Sequence, residues 1–210
     1  MEGENERAAL PLPTIRRYPV YLRAVRAKLA RGEASVSSAV LASELGLDAV
    51  LVRKDLAMSG VAGRPRTGWP TAALEAALAA AIGWDDVSQA ALVGAGSLGR
   101  ALMGYEGFRE QGLQIAVAFD TDPALAGHQV NGVRIRPAED LPKLVRRLAI
   151  KLGILTVPAS AAQPCADALV AAGVRGIWNF APVQLAVPTG VVVQNMDLAQ
   201  PLAVLSHAIR

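Results

Sequence analysis

The chain has 210 residues, of which 52% are hydrophobic and 19% are charged. This length suits two small domains, and the composition is typical of a globular protein rather than a disordered one. No run reaches the ~18 unbroken apolar residues of a membrane span, and the acidic N-terminus does not resemble a secretion signal. The single cysteine, Cys165, excludes an internal disulfide framework. We therefore expect a cytoplasmic protein without a membrane partner.

The net charge of +3 is distributed unevenly along the chain. Residues 14–70 hold ten Lys/Arg against four Asp/Glu, a balance of +6, whereas residues 1–13 carry −2 and residues 71–210 carry −1. A basic segment joined to a near-neutral one predicts a polyanion-binding module attached to a second module. The alternative is an ordinary solvated basic surface.

The first helix is predicted over residues 14–32, where apolar side chains recur at helical spacing. Its expected buried face consists of Ile15, Val20, Leu22, Val25 and Leu29. Two shorter helices follow, the first capped by Ser37 or Ser38 and the second by Asp48, with Gly46 in the turn between them. This is the layout of a helix-turn-helix.

The second of these short helices is predicted to be the recognition helix. At ~100° per residue, Ala49, Val52 and Leu56 fall on one arc and are expected to pack inward. An adjoining arc holds two cations among small side chains, which suits a helix that lies in a major groove. Its members are Val50, Arg53, Lys54 and Ala57. The alternative is that both cations are ordinary exposed helix charges.

Residues 60–70 predict a basic loop rather than a regular element, because they include three glycines and two prolines. Arg64 and Arg66 lie at its tip. A basic, glycine-rich loop after a recognition helix is typical of a wing that reaches the minor groove or the phosphate backbone. The domain boundary is expected near residues 68–88, with residues 71–82 as a connecting helix.

From residue 89 onward, apolar strands alternate with helical segments, which predicts a parallel sheet with helices on both faces. The stretch "SLGRALMGYEGF" is predicted as one helix after the first strand. Gly94, Gly96 and Gly99 have the G-x-G-x-x-G spacing of a turn that approaches a pyrophosphate. Asp120 follows Gly99 by 21 positions, at the end of the second strand, where a carboxylate accepts ribose hydroxyls. No Arg follows Asp120 directly, which favours NAD(H) over NADP(H).

The ligand crevice of such a sheet lies at the carboxyl ends of its strands, so residues that follow the strands are candidate ligand contacts. The helix that begins near Ser97 can hold the phosphates at its N-terminus. The expected nucleotide-binding residues are Gly94, Ala95, Gly96, Ser97, Leu98, Gly99, Asp120, Thr156, Val157, Pro158, Asn179, Phe180 and Pro182.

A dehydrogenase needs a side chain that moves a proton as the hydride moves, and the sequence offers no convincing set. His128 is predicted in a turn, His207 in the terminal helix, and Cys165 in a helix where a buried thiol is typical. Tyr105 and Lys151 do not form a credible acid–base pair, because Tyr105 follows the first turns of a helix and Lys151 precedes a strand. We expect no catalytic residues and no metal site.

Two alternatives stay open at this point. One is an NAD-dependent oxidoreductase with a DNA-binding appendage, which turnover of NADH with a small carbonyl would support. The other is a helix-turn-helix regulator whose second domain binds CoA or another nucleotide. Asp120 argues against the latter, because a ribose contact at this position favours NAD(H).

Six stretches, taken in order, carry a family resemblance: "AVLVRKDLAMSG", "LVGAGSLGRAL", "AFDTDP", "ILTVPA", "GIWNFAP" and "NMDLAQPLAVLSHAIR". They resemble the Rex family of bacterial redox-sensing transcriptional repressors, and the resemblance runs from about Leu12 to Arg210. The sequence departs from the usual family pattern at Pro65 and Trp69 in the wing, at Lys151, and at Leu198.

The resemblance implies an α/β protein with an N-terminal winged helix-turn-helix domain and a C-terminal NAD(H)-binding Rossmann domain. It also implies a homodimer that binds palindromic operator DNA, releases it when NADH binds, and responds more weakly to NAD+. The implied segments are a flexible N-terminus (1–13), a DNA-binding domain (14–70), a connector helix (71–88), a Rossmann domain (89–196) and a terminal helix exchanged between subunits (197–210).

The resemblance further implies roles for individual side chains. The expected DNA-binding residues are Ser38, Arg53, Lys54, Arg64 and Arg66. Arg23, Tyr105 and Asp197 resemble the residues of a switch in which the tyrosine changes partners between two states.

Overall fold

The computed structural model describes residues 10–84, 89–197 and 199–209, apart from the side chain of Glu110. Leu198 and most of the N-terminal segment predicted to be flexible lie outside the described residues. The chain forms two compact units, Met1–Asp86 and Val87–Arg210. Among the residues described, no helix is both long enough and apolar enough to cross a membrane.

The first unit consists of four helices and a two-stranded antiparallel ribbon. Its elements are α1 (Leu12–Ala30), β1 (Ser35–Val36), α2 (Ser38–Leu45), α3 (Ala49–Ala57), β2 (Trp69–Pro70) and α4 (Thr71–Ala81). The predicted caps of α2 and α3 are confirmed, since Val40 N donates to Ser37 Oγ at 3.2 Å and Leu51 N donates to Asp48 Oδ1 at 2.8 Å. Gly46 ends α2 in the left-handed conformation with φ +64°.

The buried face of α1 differs from the prediction. Leu22 and Val25 are buried as expected, but Val20 and Leu29 are 37% and 42% exposed, and Ile15 is only partly buried. Polar side chains take the inward positions instead, namely Thr14, Tyr18, Tyr21 and Lys28. Their hydroxyl and ammonium groups find partners on other helices, and such partners cannot be read from the periodicity of one helix. The predicted inward position of Ala49 on α3 is also wrong, because this residue is exposed.

The helix predicted as a connector packs within the first unit. Leu74 and Leu78 of α4 are fully buried in one apolar cluster with Leu22 of α1 and Leu56 of α3. Burial of two leucines contributes several kcal/mol, at about 2 kcal/mol each. The helix therefore belongs to the core of the first unit.

The second unit is a seven-stranded sheet with helices on both faces. Its strands are β3 (Gln89–Val93), β4 (Gln114–Asp120), β5 (Gln129–Val130), β6 (Val133–Pro137), β7 (Leu152–Leu155), β8 (Gly176–Asn179) and β9 (Val192–Asn195). Its helices are α5 (Ser97–Met103), α6 (Gly107–Glu110), α7 (Leu141–Arg147), α8 (Ala159–Ala171) and α9 (Ala199–Ala208). The strand order is β5-β6-β4-β3-β7-β8-β9, and every pair is parallel except β5–β6.

The order of strands reverses beside β3, which pairs with β4 on one side and with β7 on the other. Alternate residues of β3 reach opposite faces of the sheet. Val93 packs in the cluster that contains Val145 of α7 and Leu169 of α8, whereas Leu92 packs in the cluster that contains Met103 of α5. The chain therefore opens a crevice at the carboxyl ends of β3 and β7, which is where ligands bind in open α/β sheets.

The stretch predicted as one helix after β3 is interrupted. Helix α5 ends at Met103 with Gly104 as its C-cap, and α6 begins at Gly107. Two glycines within four positions remove the helix propensity that continuation would need. The break leaves Tyr105 on a short connection between the two helices.

Candidate functional sites

The glycine turn after β3 brings backbone segments into direct contact. Gly94 has φ +100°, and a Cβ placed on it would lie 2.7 Å from the carbonyl oxygen of Thr156. A Cβ on Gly99 would overlap the carbonyl oxygen of Gly94. A Cβ on Gly96, by contrast, would meet open space. Gly94 and Gly99 are therefore needed to form the turn, whereas the absence of a side chain at Gly96 leaves its outer surface open.

Hydrogen bonds from the neighbouring strands fix this turn. Gly94 N donates to Phe119 O of β4 at 2.8 Å. The hydroxyl of Thr156, just after β7, donates to Gly94 O at 2.6 Å. Thr156, which was predicted from its place after a strand, thus supports the turn by a direct contact with it.

Asp120 lies at the end of β4 and faces the same turn. Its Oδ2 accepts a hydrogen bond from Ala95 N at 2.6 Å, and its Oδ1 accepts one from Asp122 N at 2.9 Å. The carboxylate is partly exposed and retains acceptor capacity beyond these two bonds. The structure therefore brings Asp120 together with the glycine turn, as a ribose-binding carboxylate would require.

Asn179 at the end of β8 organises the next part of the sheet edge. It is fully buried. Its Oδ1 accepts from Ala181 N at 3.0 Å, and its Nδ2 donates to Val183 O and to Asn195 Oδ1, both at 2.8 Å. Asn195 Nδ2 in turn donates to Gln184 Oε1 at 2.9 Å. Asn195 and Gln184 were missed from the sequence. The polar pair "QN" at the end of an apolar strand was an available signal for Asn195.

A cavity of about 440 Å³ opens at the carboxyl ends of β8 and β9. It is lined by Phe180, Ala181, Pro182, Val183, Gln184, Asn195, Met196, Asp197 and Ala199. The lining is mainly apolar, with polar groups contributed by Gln184, Asn195 and Asp197. Two predicted ligand contacts, Phe180 and Pro182, and one predicted switch residue, Asp197, therefore share one cavity. Asp197 Oδ1 also accepts from Ala199 N at 2.8 Å, so it caps α9.

The other two predicted switch residues lie elsewhere. Tyr105 is 60% exposed and lines a smaller cavity of about 210 Å³ with Arg109 and Asn131. Its ring packs edge-on against Phe108, with centroids 5.0 Å apart. Arg23 is exposed on α1 in the first unit.

Residues considered for catalysis are dispersed. Cys165 on α8 is partly buried, and burial raises the pKa of its thiol, which disfavours the reactive thiolate. His128 precedes β5 and His207 lies on α9, and both are exposed. In the described parts of the chain, no group of three or more His, Cys, Asp or Glu residues could hold a metal ion.

The predicted orientation of α3 is confirmed for its charged face. Val52 and Leu56 are fully buried, whereas Arg53 and Lys54 are exposed on the opposite side together with Val50. Ser38, the first residue of α2, is partly exposed. The helix thus presents two cations and a small apolar side chain to solvent, a surface that suits phosphates and base edges.

The wing is closed by two backbone hydrogen bonds between Arg64 and Gly68, at 2.7 and 2.9 Å. Arg66 at its tip has φ +65°. Trp69 anchors the base of the loop, because its indole Nε1 donates to Val61 O at 3.1 Å and its ring covers Gly63, where a Cβ would lie 2.7 Å away. Pro65 and Trp69 therefore belong to a compact wing that presents Arg64 and Arg66 to solvent.

Asp55 on α3 is buried among polar groups from α1. Arg17 donates two hydrogen bonds to its carboxylate at 2.6 and 2.8 Å, Tyr21 donates one at 2.7 Å, and Thr14 donates one at 3.0 Å. Burial alone would raise the pKa of this carboxyl, but the hydrogen bonds and the guanidinium charge outweigh it, so the pKa lies below its usual value. Sequence periodicity gave no indication of this cluster, because Asp55 lies more than 30 residues along the chain from each of its partners on α1.

Two family models match the chain, one mainly in each unit. Residues 9–57 match the family model described as "Putative DNA-binding protein N-terminus", and residues 85–183 match the model described as "CoA binding domain". The redox-sensing transcriptional repressor Rex of Treponema denticola is 40% identical over 92% of this chain and 92% of its own length. The chain belongs to the Rex family. The Rex protein of Porphyromonas gingivalis is 42% identical over 96% of this chain and 92% of its own length.

Rex-family crystal structures show the same fold. RSP in complex with β-NAD+ and operator DNA has a TM-score of 0.87 and 32% identity, and the match covers 95% of this chain and 92% of that one. RSP in complex with β-NADH has a TM-score of 0.81 at the same identity, covering 95% and 94%. The predicted fold class, a winged helix-turn-helix unit followed by a Rossmann unit, is confirmed.

Alanine substitutions at Gly99 and Gly96 distinguish the contribution of the turn to stability from its contribution to nucleotide binding. Gly99→Ala is expected to lower the free energy of unfolding by about 1–3 kcal/mol, because the new Cβ overlaps a backbone carbonyl. Gly96→Ala is expected to leave the free energy of unfolding unchanged, since its Cβ meets open space. The same Cβ would occupy the space that a phosphate would approach, so NADH binding should weaken by about tenfold. Urea unfolding and calorimetric titration measure the two effects. Wild-type NADH affinity in Gly96→Ala would contradict this assignment of the turn.

We expect the first unit to lose stability at alkaline pH, because Tyr18 and Tyr21 are buried in it. Burial raises the pKa of each from 10.0 to about 12, and the nearby Asp55 charge adds to the shift. Their stabilisation is fully present below pH 10 and is lost as the pH rises through 12. Urea unfolding should therefore show a falling midpoint over this range when it is followed by the fluorescence of Trp69 and Trp84, with Trp178 of the second unit replaced by Phe in every protein compared. Tyr21→Phe should make that fall shallower, and Tyr105→Phe, in the other unit, is the control. A flat midpoint in the wild type would refute the prediction.

Proposed function

We propose that this chain is an NADH-sensing transcriptional repressor that binds operator DNA through α3 and the wing and releases it when NADH binds the second unit. The observation that carries the proposal is the presence, in one member of the Rex family, of both an exposed basic recognition helix and a built nucleotide turn. Arg53, Lys54, Arg64, Arg66 and Ser38 are the proposed DNA contacts, with α3 in the major groove and the wing on the adjacent backbone or minor groove.

NAD(H) is the proposed ligand of the second unit, although this unit also matches a CoA-binding model. Asp120 supports this choice, because its carboxylate lies on the glycine turn where the two ribose hydroxyls of adenosine would be accepted. Open space beside Gly96 leaves room for a pyrophosphate against the backbone. RSP, which is 32% identical, was crystallised with both β-NAD+ and β-NADH.

The proposed phosphate contacts are the turn residues Ala95, Ser97 and Leu98 together with Gly94, Gly96 and Gly99. Thr156, Val157 and Pro158 would border the middle of the dinucleotide from the end of β7. Asn179 would act indirectly, because all its polar atoms are engaged in fixing the loop that carries Phe180 and Pro182.

The 440 Å³ cavity supports a preference between the two redox forms. Its lining from Phe180, Pro182, Val183 and Met196 is apolar. A neutral dihydronicotinamide ring loses little hydration free energy on entering such a lining, whereas a cationic nicotinamide ring loses more. NADH is therefore the form that the apolar part of this lining favours, whereas the carboxylate of Asp197 in the same cavity favours the cationic ring.

Release of DNA follows from linkage. If NADH and DNA prefer different arrangements of the protein, each weakens the binding of the other by the same factor, typically 1–3 kcal/mol. We assign the switch between these arrangements to Arg23, Tyr105 and Asp197. Arg23 and Tyr105 are exposed and thus accessible to new partners.

A homodimer is part of the proposal, with α9 exchanged between subunits. Within the described part of α9 no side chain is buried, and the helix exposes Leu202, Val204 and Leu205, each more than 60%. An apolar helix of this kind needs a partner surface. Operator DNA with two-fold symmetry matches two such chains.

Nucleotide turnover is not part of the proposed function, and NADH and NAD+ act as effectors. The separation of Cys165, His128 and His207 supports this view, as do relatives that are named transcriptional repressors. We place the protein in the cytoplasm, where both DNA and NAD(H) are present.

Removal of the two α3 cations tests the proposed DNA surface. The wild type first selects a palindromic duplex from a randomised pool, and binding to this duplex is measured across a range of salt concentrations. Arg53→Gln/Lys54→Gln should weaken binding and make the slope of log K against log salt shallower by about 4, because two phosphate contacts are lost from each of the two subunits on the palindrome. NADH affinity should not change.

Lys143→Gln/Arg147→Gln is the matched control, because it removes two exposed cations from α7 in the other unit. It should leave the salt slope near that of the wild type. An equal loss in the control would mean that total charge, rather than α3, determines DNA binding.

A further inference from the structure

The recognition helix contains a buried carboxylate whose side-chain partners come from one helix. Thr14, Arg17 and Tyr21 of α1 donate to Asp55, and the hydroxyl of Tyr18 donates to the Asp55 backbone carbonyl at 2.9 Å. The spacing 14, 17, 18 and 21 places these groups on a single face of α1. The cluster therefore joins α1 and α3 through polar contacts within a mainly apolar core.

Stability is a weak explanation for such a cluster. Transfer of a carboxylate and a guanidinium out of water is unfavourable, and well-packed apolar side chains of similar size often stabilise a fold equally well or better. Asp55 is only 2% exposed, so nearly all of its hydration is lost. The cluster must contribute something that apolar packing of Val52 and Leu56 would not provide.

Geometry indicates what it contributes. Successive residues of α3 are rotated by ~100°, so the direction of Asp55 sets the directions of Arg53 and Lys54. With Asp55 pinned to α1, both cations are exposed. A rotation by one residue would turn Lys54 toward Arg17 and leave the carboxylate without its donors. Apolar contacts are not directional, so on their own they would tolerate rotations of α3 about its axis that are smaller than one residue.

We propose that Asp55 and its α1 partners form a rotational lock that sets the angle of the recognition helix and thereby determines which DNA sequences the protein accepts. Asp55, Arg17, Tyr21 and Thr14 are positioning residues. They act through the whole exposed face of α3, which carries Val50 as well as Arg53 and Lys54. This inference rests on the proposed function, since it concerns how α3 reads DNA. The lock contributes sequence discrimination rather than general affinity for phosphates.

The test replaces the lock by apolar side chains of similar size. The variant is Thr14→Val/Arg17→Met/Tyr21→Phe/Asp55→Leu in the full chain. Its control, Lys28→Met/Glu44→Leu, removes another ion pair of α1, in which the buried Lys28 donates to the exposed Glu44 of α2, rather than of α3, at 2.6 Å. For each protein, affinity is measured for the duplex selected by the wild type and for a scrambled duplex of equal length, with thermal unfolding and NADH binding alongside.

The lock variant should unfold near the wild-type temperature and bind NADH and the scrambled duplex as the wild type does. Its preference for the selected duplex should fall by about tenfold or more, since the loss of even one base contact weakens specific binding by about that factor. The control should keep its preference. Should the lock variant not fold, Asp55→Asn replaces it, and the same loss of preference for the selected duplex is expected. This substitution removes the charge and half of the acceptor capacity of the side chain but keeps its shape.

A folded lock variant that retains the wild-type preference would overturn the proposal, as would an equal loss in the control. A wild-type protein that selects no duplex would instead contradict the proposed function itself. The two failures are therefore distinguished within one experiment.

Discussion

The carbonyl oxygen of Gly94 is the contact on which the nucleotide crevice depends. Gly94 directly follows β3, and its carbonyl oxygen accepts a hydrogen bond from the hydroxyl of Thr156, which directly follows β7. The same oxygen lies so close to α5 that only glycine fits at position 99. The amide of the same residue bonds to β4. Three strands and one helix thus meet at one residue, Gly94. Because the strand order reverses here, this is also the point where the sheet leaves space for a ligand.

In the first unit, a comparable role belongs to a side chain rather than to the backbone. The Asp55 carboxylate is held inward by directional hydrogen bonds, and the cations beside it are consequently held outward. Each unit therefore has a rigid internal contact beneath an open surface, one suited to DNA and the other to a dinucleotide. Preorganisation of this kind reduces the ordering entropy that binding would otherwise require.

The features that could be predicted from the sequence are those that depend on residues close together along the chain. The caps at Ser37 and Asp48 and the glycine turn depend on neighbouring residues, and their predicted forms agree with the structure. The polar face of α1 and the link from Asn179 to Asn195 were not foreseen, because each joins residues distant along the chain. The break after Met103 was not predicted, because apolar periodicity continues beyond it; the two following glycines, which have low helix propensity, indicate the break.

The central claim is that nucleotide binding in the second unit controls DNA binding by the first. The most direct measurement is the affinity of the purified protein for its selected duplex at fixed salt, with NADH and NAD+ titrated separately. The account predicts that NADH releases the DNA at concentrations where NAD+ has little effect. If both nucleotides bind and neither alters DNA affinity, the two units are not coupled and the proposed sensing mechanism is wrong.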